Sequence, residues 1–247
     1  MIIGYENSYL FPIGNKNGLV GNETVDFFTK DCTILTSFKP DLEECVKEIG
    51  EDGRYVGTVV GKNGKHVGIF FIVYKDGLDN LHYQVSLEYW QNPLWEQNQS
   101  EADDELKRVD FEFTPEQCEN GFDVSLKRVG SKFIITVNGE SREAEINGLI
   151  DYTYSFMWIG AASRLSEFQP CIFYGNIDKM HIQYGATSED EDELFFNNYE
   201  SFINKLDKNK NDKNVFTSDF RMYTPYKIFD QSNNGNHPIK YSKIWLD

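Results

Sequence analysis

Hydrophobic and polar residues alternate with a period of two between residues 122 and 138. Phe122, Val124 and Leu126 stand at every second position with polar residues between them, and Phe133 and Val137 belong to a second run with the same spacing. A period of two puts alternate side chains on opposite faces of an extended chain, which is typical of a strand with one buried face. The pattern predicts two adjacent strands.

Short turn sequences follow each of these strands. Val129-Gly130-Ser131 predicts a tight turn after the first strand, and Asn138-Gly139 suits the positive φ angles of a type I′ hairpin turn after the second. A third strand then completes a meander. We therefore predict an all-β chain built on an antiparallel β-sandwich.

The hydrophobic period changes to that of a helix after residue 185. Ser188 and Glu191 form a capping box, and acidic residues fill the first turn, where the helix dipole favours them. The apolar face consists of Phe195, Tyr199, Phe202, Ile203 and Leu206. The pattern predicts one C-terminal amphipathic helix of about five turns, packed either on the sandwich or against another subunit.

Changes in composition divide the chain into three parts. Residues 1–30 predict an N-terminal arm that caps a sheet edge, residues 31–185 carry the sandwich, and residues 186–247 contain the helix, a polar linker and a β-like tail. Within the sandwich, residues 41–53 predict a short helix or a loop, and residues 89–107 predict a loop excursion. The tail either completes the sandwich or begins another domain.

Several short motifs, taken in order, resemble those of a known family. Lys39-Pro40 at a strand end, VNG at residues 137–139, WIGA at residues 158–161 and FYGNIDKMHI at residues 173–182 are similar to the laminin G-like (LamG) branch of the concanavalin A-like lectin/glucanase superfamily. The resemblance spans residues 20–185 and implies a concanavalin A-like jelly roll. Such sandwiches serve as lectins, enzyme cores, adhesins and virion parts, so the resemblance implies a fold more closely than an activity.

Composition and charge narrow the range of partners. The chain of 247 residues is 40% hydrophobic and 15% aromatic, which suffices for a large core. Its formal net charge of −16 argues against a nucleic-acid partner, because binding nucleic acid normally relies on a clustered cationic surface. We interpret the acidity as favouring solubility at high protein density; the alternative is attraction of cations or of a basic partner surface.

The sequence shows neither a signal peptide at its start nor a run of about 18 apolar residues. We therefore expect synthesis in the cytosol, with no membrane insertion and with the virion as a destination. The cysteines Cys32, Cys45, Cys118 and Cys171 lack metal-binding spacing and are expected to be reduced core thiols. The alternative is one or two long-range disulfides in an extracellular form whose leader has been removed.

The acids and histidines are the candidate catalytic residues of the chain. Jelly-roll glycosidases place carboxylates as E-x-D-x-x-E on one strand, so that one acid protonates the leaving oxygen while another attacks or activates water. Asp110 and Glu112 share a strand face, but Arg108 and Phe113 stand where the other acids belong. The histidines have no metal-ligand spacing. The sequence therefore predicts no catalytic residues, and the acid pair is interpreted as facing solvent.

An aromatic and amide-rich segment is the predicted ligand-binding site. Flat aromatic faces beside amide groups suit sugar rings. The predicted residues are Tyr89, Trp90, Asn92 and Trp95, with Gln97 and Asn98 beside them. Trp90 ends a predicted strand, so its alternative place is the core, where we also expect Trp158.

No cofactor or metal is predicted. Asp207, Asn209 and Asn211 have the oxygen spacing that opens a calcium loop, but Asp212 and Ser218 stand where the loop requires Gly and Glu. The resemblance leaves calcium binding open, because relatives often bind calcium through loop carboxylates; the sequence does not locate them here.

Two classes of function follow. The first is a non-catalytic LamG-like binding and assembly module, a structural component of a phage or large-virus particle that contacts other protein subunits and recognises glycan or protein. The second is a glycan-active enzyme of the concanavalin A-like class, with Asp110 and Glu112 as its acid pair. We predict the first, because the catalytic set is incomplete and because the acidity, core thiols and appended helix suit a particle component.

Overall fold

The structure of the chain is a computed structural model. It describes residues 2–3, 9–11, 27–62, 67–94, 97, 104–150, 157–160, 171–209, 214–219 and 239–240.

The described strands, in chain order, are β1 (Ile2–Ile3), β2 (Tyr9–Phe11), β3 (Cys32–Pro40), β4 (Arg54–Lys62), β5 (Val67–Lys75), β6 (Leu81–Asn92), β7 (Glu105–Phe113), β8 (Phe122–Val129), β9 (Lys132–Val137), β10 (Glu140–Glu145), β11 (Leu149–Ile150), β12 (Met157–Ile159), β13 (Gly175–Tyr184), β14 (Asn214–Asp219) and β15 (Ile239–Lys240). The helices are a 3-10 helix (Phe27–Thr29), α1 (Leu42–Lys47), α2 (Pro115–Glu119), α3 (Glu189–Asn197) and α4 (Tyr199–Asn209).

The strands form two antiparallel sheets, which confirms the predicted jelly-roll sandwich. The first sheet has the order β1-β13-β3-β8-β9-β10, with β14 also pairing with β13. The second has the order β11-β6-β5-β4-β12-β2-β15, with β7 also pairing with β6. The N-terminal arm and the tail each supply strands to both sheets, so their described parts complete the sandwich.

The predicted meander is confirmed in β8, β9 and β10. Asn138 and Gly139 have φ angles of 48° and 87°, as the hairpin turn between β9 and β10 requires. In residues 41–53 the helix alternative is the one observed: Asp41 caps α1 by accepting a hydrogen bond from the backbone N–H of Glu44. The predicted excursion at residues 89–107 is shorter than expected, because β6 continues to Asn92 and β7 begins at Glu105.

The C-terminal helix is interrupted, contrary to the prediction of one continuous helix. Asn198 ends α3, and its side-chain oxygen accepts a hydrogen bond from the backbone N–H of Ser201, 3.1 Å away, at the start of α4. The two helices form a helical hairpin. The predicted capping box at Ser188 and Glu191 is present at the start of α3.

The helical hairpin packs on its own sandwich. Phe195, Phe202 and Leu206 form a buried cluster with Leu35 of β3 in the first sheet. Behind them, the Lys179 ammonium donates to the backbone oxygens of Phe195 and Phe196 at 2.8 and 2.7 Å. A cation at these orphan carbonyls satisfies the end of α3 and complements its dipole. Of the two alternatives for the apolar helix face, the structure therefore has the contact within the chain.

The cysteines are mostly in the interior. Cys32, Cys45 and Cys118 are buried, whereas Cys171 is partly exposed. Burial raises the pKa of the Cys45 thiol from 9.0 to about 12. Burial also raises the pKa of Cys118 from 9.0 to about 12. Both thiols are therefore protonated at neutral pH and shielded from reagents.

Thiol labelling of the native chain is expected to modify Cys171 first and Cys45 and Cys118 only on unfolding. At about pH 8 the raised pKa leaves each buried thiol with about a thousandfold less thiolate. Because the folded chain holds these protons more tightly, their stabilising effect is complete below the unfolded thiol pKa and is lost as pH rises towards 12. Mass spectrometry of the labelled chain, with and without denaturant, checks the order. Rapid native labelling of Cys45 would contradict it.

Candidate functional site

Strand register places a row of polar side chains on the face of the second sheet that points away from the core. Val85 and Leu87 of β6 are buried in the core between the sheets. The alternate residues Gln84, Ser86 and Glu88 point to the opposite face, because successive side chains of a strand alternate. The register pairs Gln84 with Glu112, Ser86 with Asp110 and Glu88 with Arg108.

Two of these cross-strand pairs are hydrogen-bonded, and the third is an ion pair. The Ser86 hydroxyl donates to the Asp110 carboxylate. The Gln84 amide donates to Glu112 Oε1 at 3.2 Å. The Arg108 guanidinium lies 2.7 Å from the carboxylate of Glu88, whose side chain is fully buried. Asp110 and Glu112 therefore share a face, as predicted, and Glu112 is exposed while Asp110 is half-buried.

The exposed end of this row carries an aromatic pair. Tyr74 and His82 are stacked with their ring centroids 4.8 Å apart and an interplanar angle of 11°. The Tyr74 hydroxyl donates to Glu112 Oε1 at 3.3 Å, which joins the ring pair to the exposed carboxylate. We call Tyr74, Asp76, His82, Gln84 and Glu112 the Tyr74–His82 cluster.

Asp76 fixes the hairpin turn between β5 and β6 beside this pair. Its carboxylate accepts hydrogen bonds from the backbone N–H groups of Leu78 and Asn80, at 2.7 and 2.9 Å, and from the Asn80 side chain at 3.0 Å. The oxygen that accepts from the Asn80 side chain, Oδ2, also contacts His82 Nε2 at 3.2 Å. The hydrogen bonds from Asn80 are the main cause that holds the pKa of Asp76 well below its usual range. The turn and the imidazole are thereby held in one arrangement.

The cluster is accessible and its hydroxyl stays protonated. The side chains of Asp76 and His82 are 31% and 35% exposed. Partial burial, with the nearby Glu112 carboxylate, raises the pKa of Tyr74. The cluster therefore presents partly exposed ring surface beside the exposed Glu112 carboxylate, which is held by the Tyr74 hydroxyl and the buried Gln84 carboxamide. Ring surface next to a carboxylate suits a polar ligand.

The structure does not bring the four sequence-predicted binding residues together on the surface. Tyr89 is 2% exposed and belongs to the core. Its hydroxyl donates to the backbone oxygen of Glu145 at 3.0 Å, and its ring lies 5.0 Å from that of Phe133. Tyr89 follows Val85 and Leu87 in the same alternation, a signal in the sequence that already indicated its inward direction.

The other predicted binding residues have different environments. Asn92 is buried and donates to Asp104 Oδ1 at 2.6 Å. Trp90 is half-buried, and Gln97 is exposed. Trp95, Asn98 and the side chain of Trp158 lie outside the described residues, so a contribution of Trp90 and Trp95 to binding stays a prediction.

The described part of the chain has neither a metal-binding cluster nor a helix that could span a membrane. Its His, Cys, Asp and Glu residues form no group of three or more placed to hold a metal ion. The predicted calcium spacing at residues 207–211 falls on side chains outside the description. Among the helices described, none has the length and apolarity needed to cross a bilayer.

No protein-family model matches the chain, and no curated protein matches its sequence. Its likeness is to solved structures. The enzymatically active domain of tailspike protein 2 of bacteriophage CBA120 gives a TM-score of 0.40 at 9% identity, over 68% of this chain and 24% of that one. Domains LG4-5 of the mouse laminin alpha1 chain give 0.38 at 10% identity, over 75% and 41%.

An alginate lyase of family 7, A1-II′, in complex with substrate gives a TM-score of 0.37 at 10% identity, over 65% of this chain and 63% of the lyase. The chain therefore spans less than two thirds of each of these three proteins. The jelly-roll fold of this chain is shown by its own two sheets.

Proposed function

We propose that the chain is a non-catalytic jelly-roll module that binds a glycan through the Tyr74–His82 cluster. The observation that carries the proposal is the stacked Tyr74–His82 pair joined to the exposed Glu112 carboxylate through the Tyr74 hydroxyl, 3.3 Å from Glu112 Oε1. Apolar ring surface supplies contact for the C–H groups of a sugar, and the polar groups hydrogen-bond its hydroxyls.

Preorganisation supports this proposal. The Asp76 carboxylate holds the turn through the N–H groups of Leu78 and Asn80 and contacts the imidazole of His82. Gln84 and Tyr74 both direct donors at Glu112. A site that is ordered before binding loses less conformational entropy when the ligand arrives. The β-strands beneath it supply a rigid base.

The same proposal includes a role as a structural component of a phage or large-virus particle. This part of it rests on the sequence. The formal charge of −16 and the buried thiols support it, as they did at the level of sequence. The helical hairpin is engaged on the first sheet, so the proposed contacts with other protein subunits would use other surfaces of the sandwich.

Binding to a glycan array is expected to fall about tenfold in affinity for Tyr74→Ala and for His82→Ala, because each removes half of the ring pair. Titration calorimetry on the best glycan measures the loss. Trp90→Ala is the comparison variant, since Trp90 lies at the opposite end of β6. Unchanged binding by Tyr74→Ala, with a loss in Trp90→Ala, would move the site to the sequence-predicted segment.

A glycan-active enzyme is the second candidate, and one observation favours it. Asp110 and Glu112 lie on one face beside Tyr74 and His82. The test is release of reducing ends from a panel of β-glucans, compared with an Asp110→Ala, Glu112→Ala double variant. Turnover that disappears in the double variant would replace the non-catalytic proposal.

A further inference from the structure

The two carboxylates of the Tyr74–His82 cluster are held by neutral donors. Glu112 accepts from the Tyr74 hydroxyl and the Gln84 amide. Asp76 accepts from the backbone N–H groups of Leu78 and Asn80 and from the Asn80 amide, and it contacts one titratable group, the imidazole of His82. Within the described part of the chain, neither carboxylate has a lysine or arginine partner.

The cations near the cluster are largely engaged with other acids. Lys75 lies 3.9 Å from Asp79, Arg108 lies 2.7 Å from Glu88, and Arg142 lies 2.7 Å from Glu140. Arg54 is the cross-strand neighbour of Tyr74, so its positive charge belongs to the charge balance of the cluster. When His82 is neutral, the charge balance of the cluster therefore consists of one guanidinium, Arg54, and two carboxylates, Asp76 and Glu112.

The charge of the whole chain also favours a positively charged ligand over a negatively charged one. Its formal net charge of −16 gives the chain as a whole a negative field, which salt screens. A low pKa keeps Asp76 ionised. A sugar bearing carboxylate or sulfate would thus meet repulsion both in solution and at the cluster.

We infer that the glycan bound by the Tyr74–His82 cluster carries amino groups, with an ammonium placed against the carboxylate of Glu112. This inference rests on the proposed function and adds the chemical class of the ligand. An ammonium has donors alone and pairs with a carboxylate through charge-assisted hydrogen bonds. A neutral acetamido sugar keeps the ring contacts but loses the charged pair with Glu112. A uronate places a second negative charge there, so attraction becomes repulsion.

Three trisaccharides test the inference: β-1,4-linked glucosamine, N-acetylglucosamine and mannuronate. Titration is carried out at about pH 5.5 and about pH 7, so that the charged fraction of the sugar amines differs between the two, and at low and high salt. We expect the glucosamine trimer to bind about fivefold more tightly than the acetylated trimer, with the uronate weakest. High salt should narrow these differences.

Two variants that change the net charge equally test whether Glu112 is the source of the preference for the amine. Glu112→Gln should abolish the preference for the amine over the acetamide, because it removes the carboxylate and keeps the shape. Glu193→Gln changes the net charge equally on an exposed residue of α3, over the other sheet, and should leave the preference intact. Tyr74→Ala should weaken all three trimers, because all three use the rings.

The outcomes separate the two proposals. Failure of every trimer to bind would refute the amine inference, whereas glycan binding unaffected by Tyr74→Ala would refute the glycan site itself. Binding that depends on Tyr74 but is as tight for the acetamide or the uronate as for the amine would refute the amine inference alone. An amine preference that survives Glu112→Gln would also refute it, because the ammonium would then lie elsewhere.

Discussion

Replacing Phe122 with alanine is expected to lower the free energy of unfolding by about 3 to 5 kcal/mol. Phe122 is 2% exposed on β8 of the first sheet. Its ring centroid lies 5.4 Å from that of Phe38 in the same sheet, and 6.1 and 4.7 Å from those of Phe71 and Phe113 in the second sheet. The ring therefore fills space between the sheets, where close-packed strands do not collapse around a cavity.

Denaturant unfolding monitored by circular dichroism measures the loss. Phe122→Leu keeps most of the volume and is expected to cost less than about 1.5 kcal/mol. Val129→Ala, at a side chain that is 42% exposed at the end of the same strand, serves as the surface control. A cost for Phe122→Ala as small as that of the control would contradict the placement of this ring between the sheets.

Replacing Asp192 with alanine is the second large expected effect, a loss of about 2 to 3 kcal/mol. Asp192 of α3 lies 2.8 Å from the Lys127 ammonium of β8, with side-chain exposures of 17% and 14%. Its carboxylate also accepts from the Ser125 hydroxyl at 3.1 Å and the Thr187 hydroxyl at 2.5 Å. We call these four residues the Asp192 anchor. Alanine leaves Lys127 largely buried without its counter-ion, which is costly.

A double-mutant cycle tests the anchor. Asp192→Ala, Lys127→Ala and the double variant are unfolded with denaturant, and we expect a coupling energy of at least about 1 kcal/mol. Glu193→Ala is the matched control, because Glu193 is the exposed acidic neighbour in the same helix. Limited proteolysis should cut the helical hairpin faster in Asp192→Ala. Additive single losses would show that the two charges do not stabilise each other.

The sequence predicted best where the signal was local. Alternation at Phe122, Val124 and Leu126 and the turn at Asn138-Gly139 confirmed the meander, because side-chain period and φ preference belong to neighbouring residues. The capping box at Ser188 was confirmed for the same reason. The break between α3 and α4 was missed, although Asn198 is a good N-cap, because the apolar spacing runs on through it.

The candidate site was predicted less well. The prediction used residue type within one segment, and it placed Tyr89 and Asn92 at a surface site, whereas the structure buries both. Asp110 and Glu112 were correctly assigned to one face, since they are two residues apart in a strand. The partner of Glu112 was missed, because Tyr74 lies 38 positions away.

The sequence by itself determined the fold class of this protein, its strand and turn pattern, the start of its C-terminal helix and its acidic charge, since each depends on residues within a few positions or on composition alone. Tertiary structure decided the rest. Register between β5, β6 and β7 assembled Tyr74, His82 and Glu112. Packing on Leu35 decided where the helical hairpin lies. Both depend on pairing between distant segments, and that pairing is selected by burial of the whole core rather than by any local pattern.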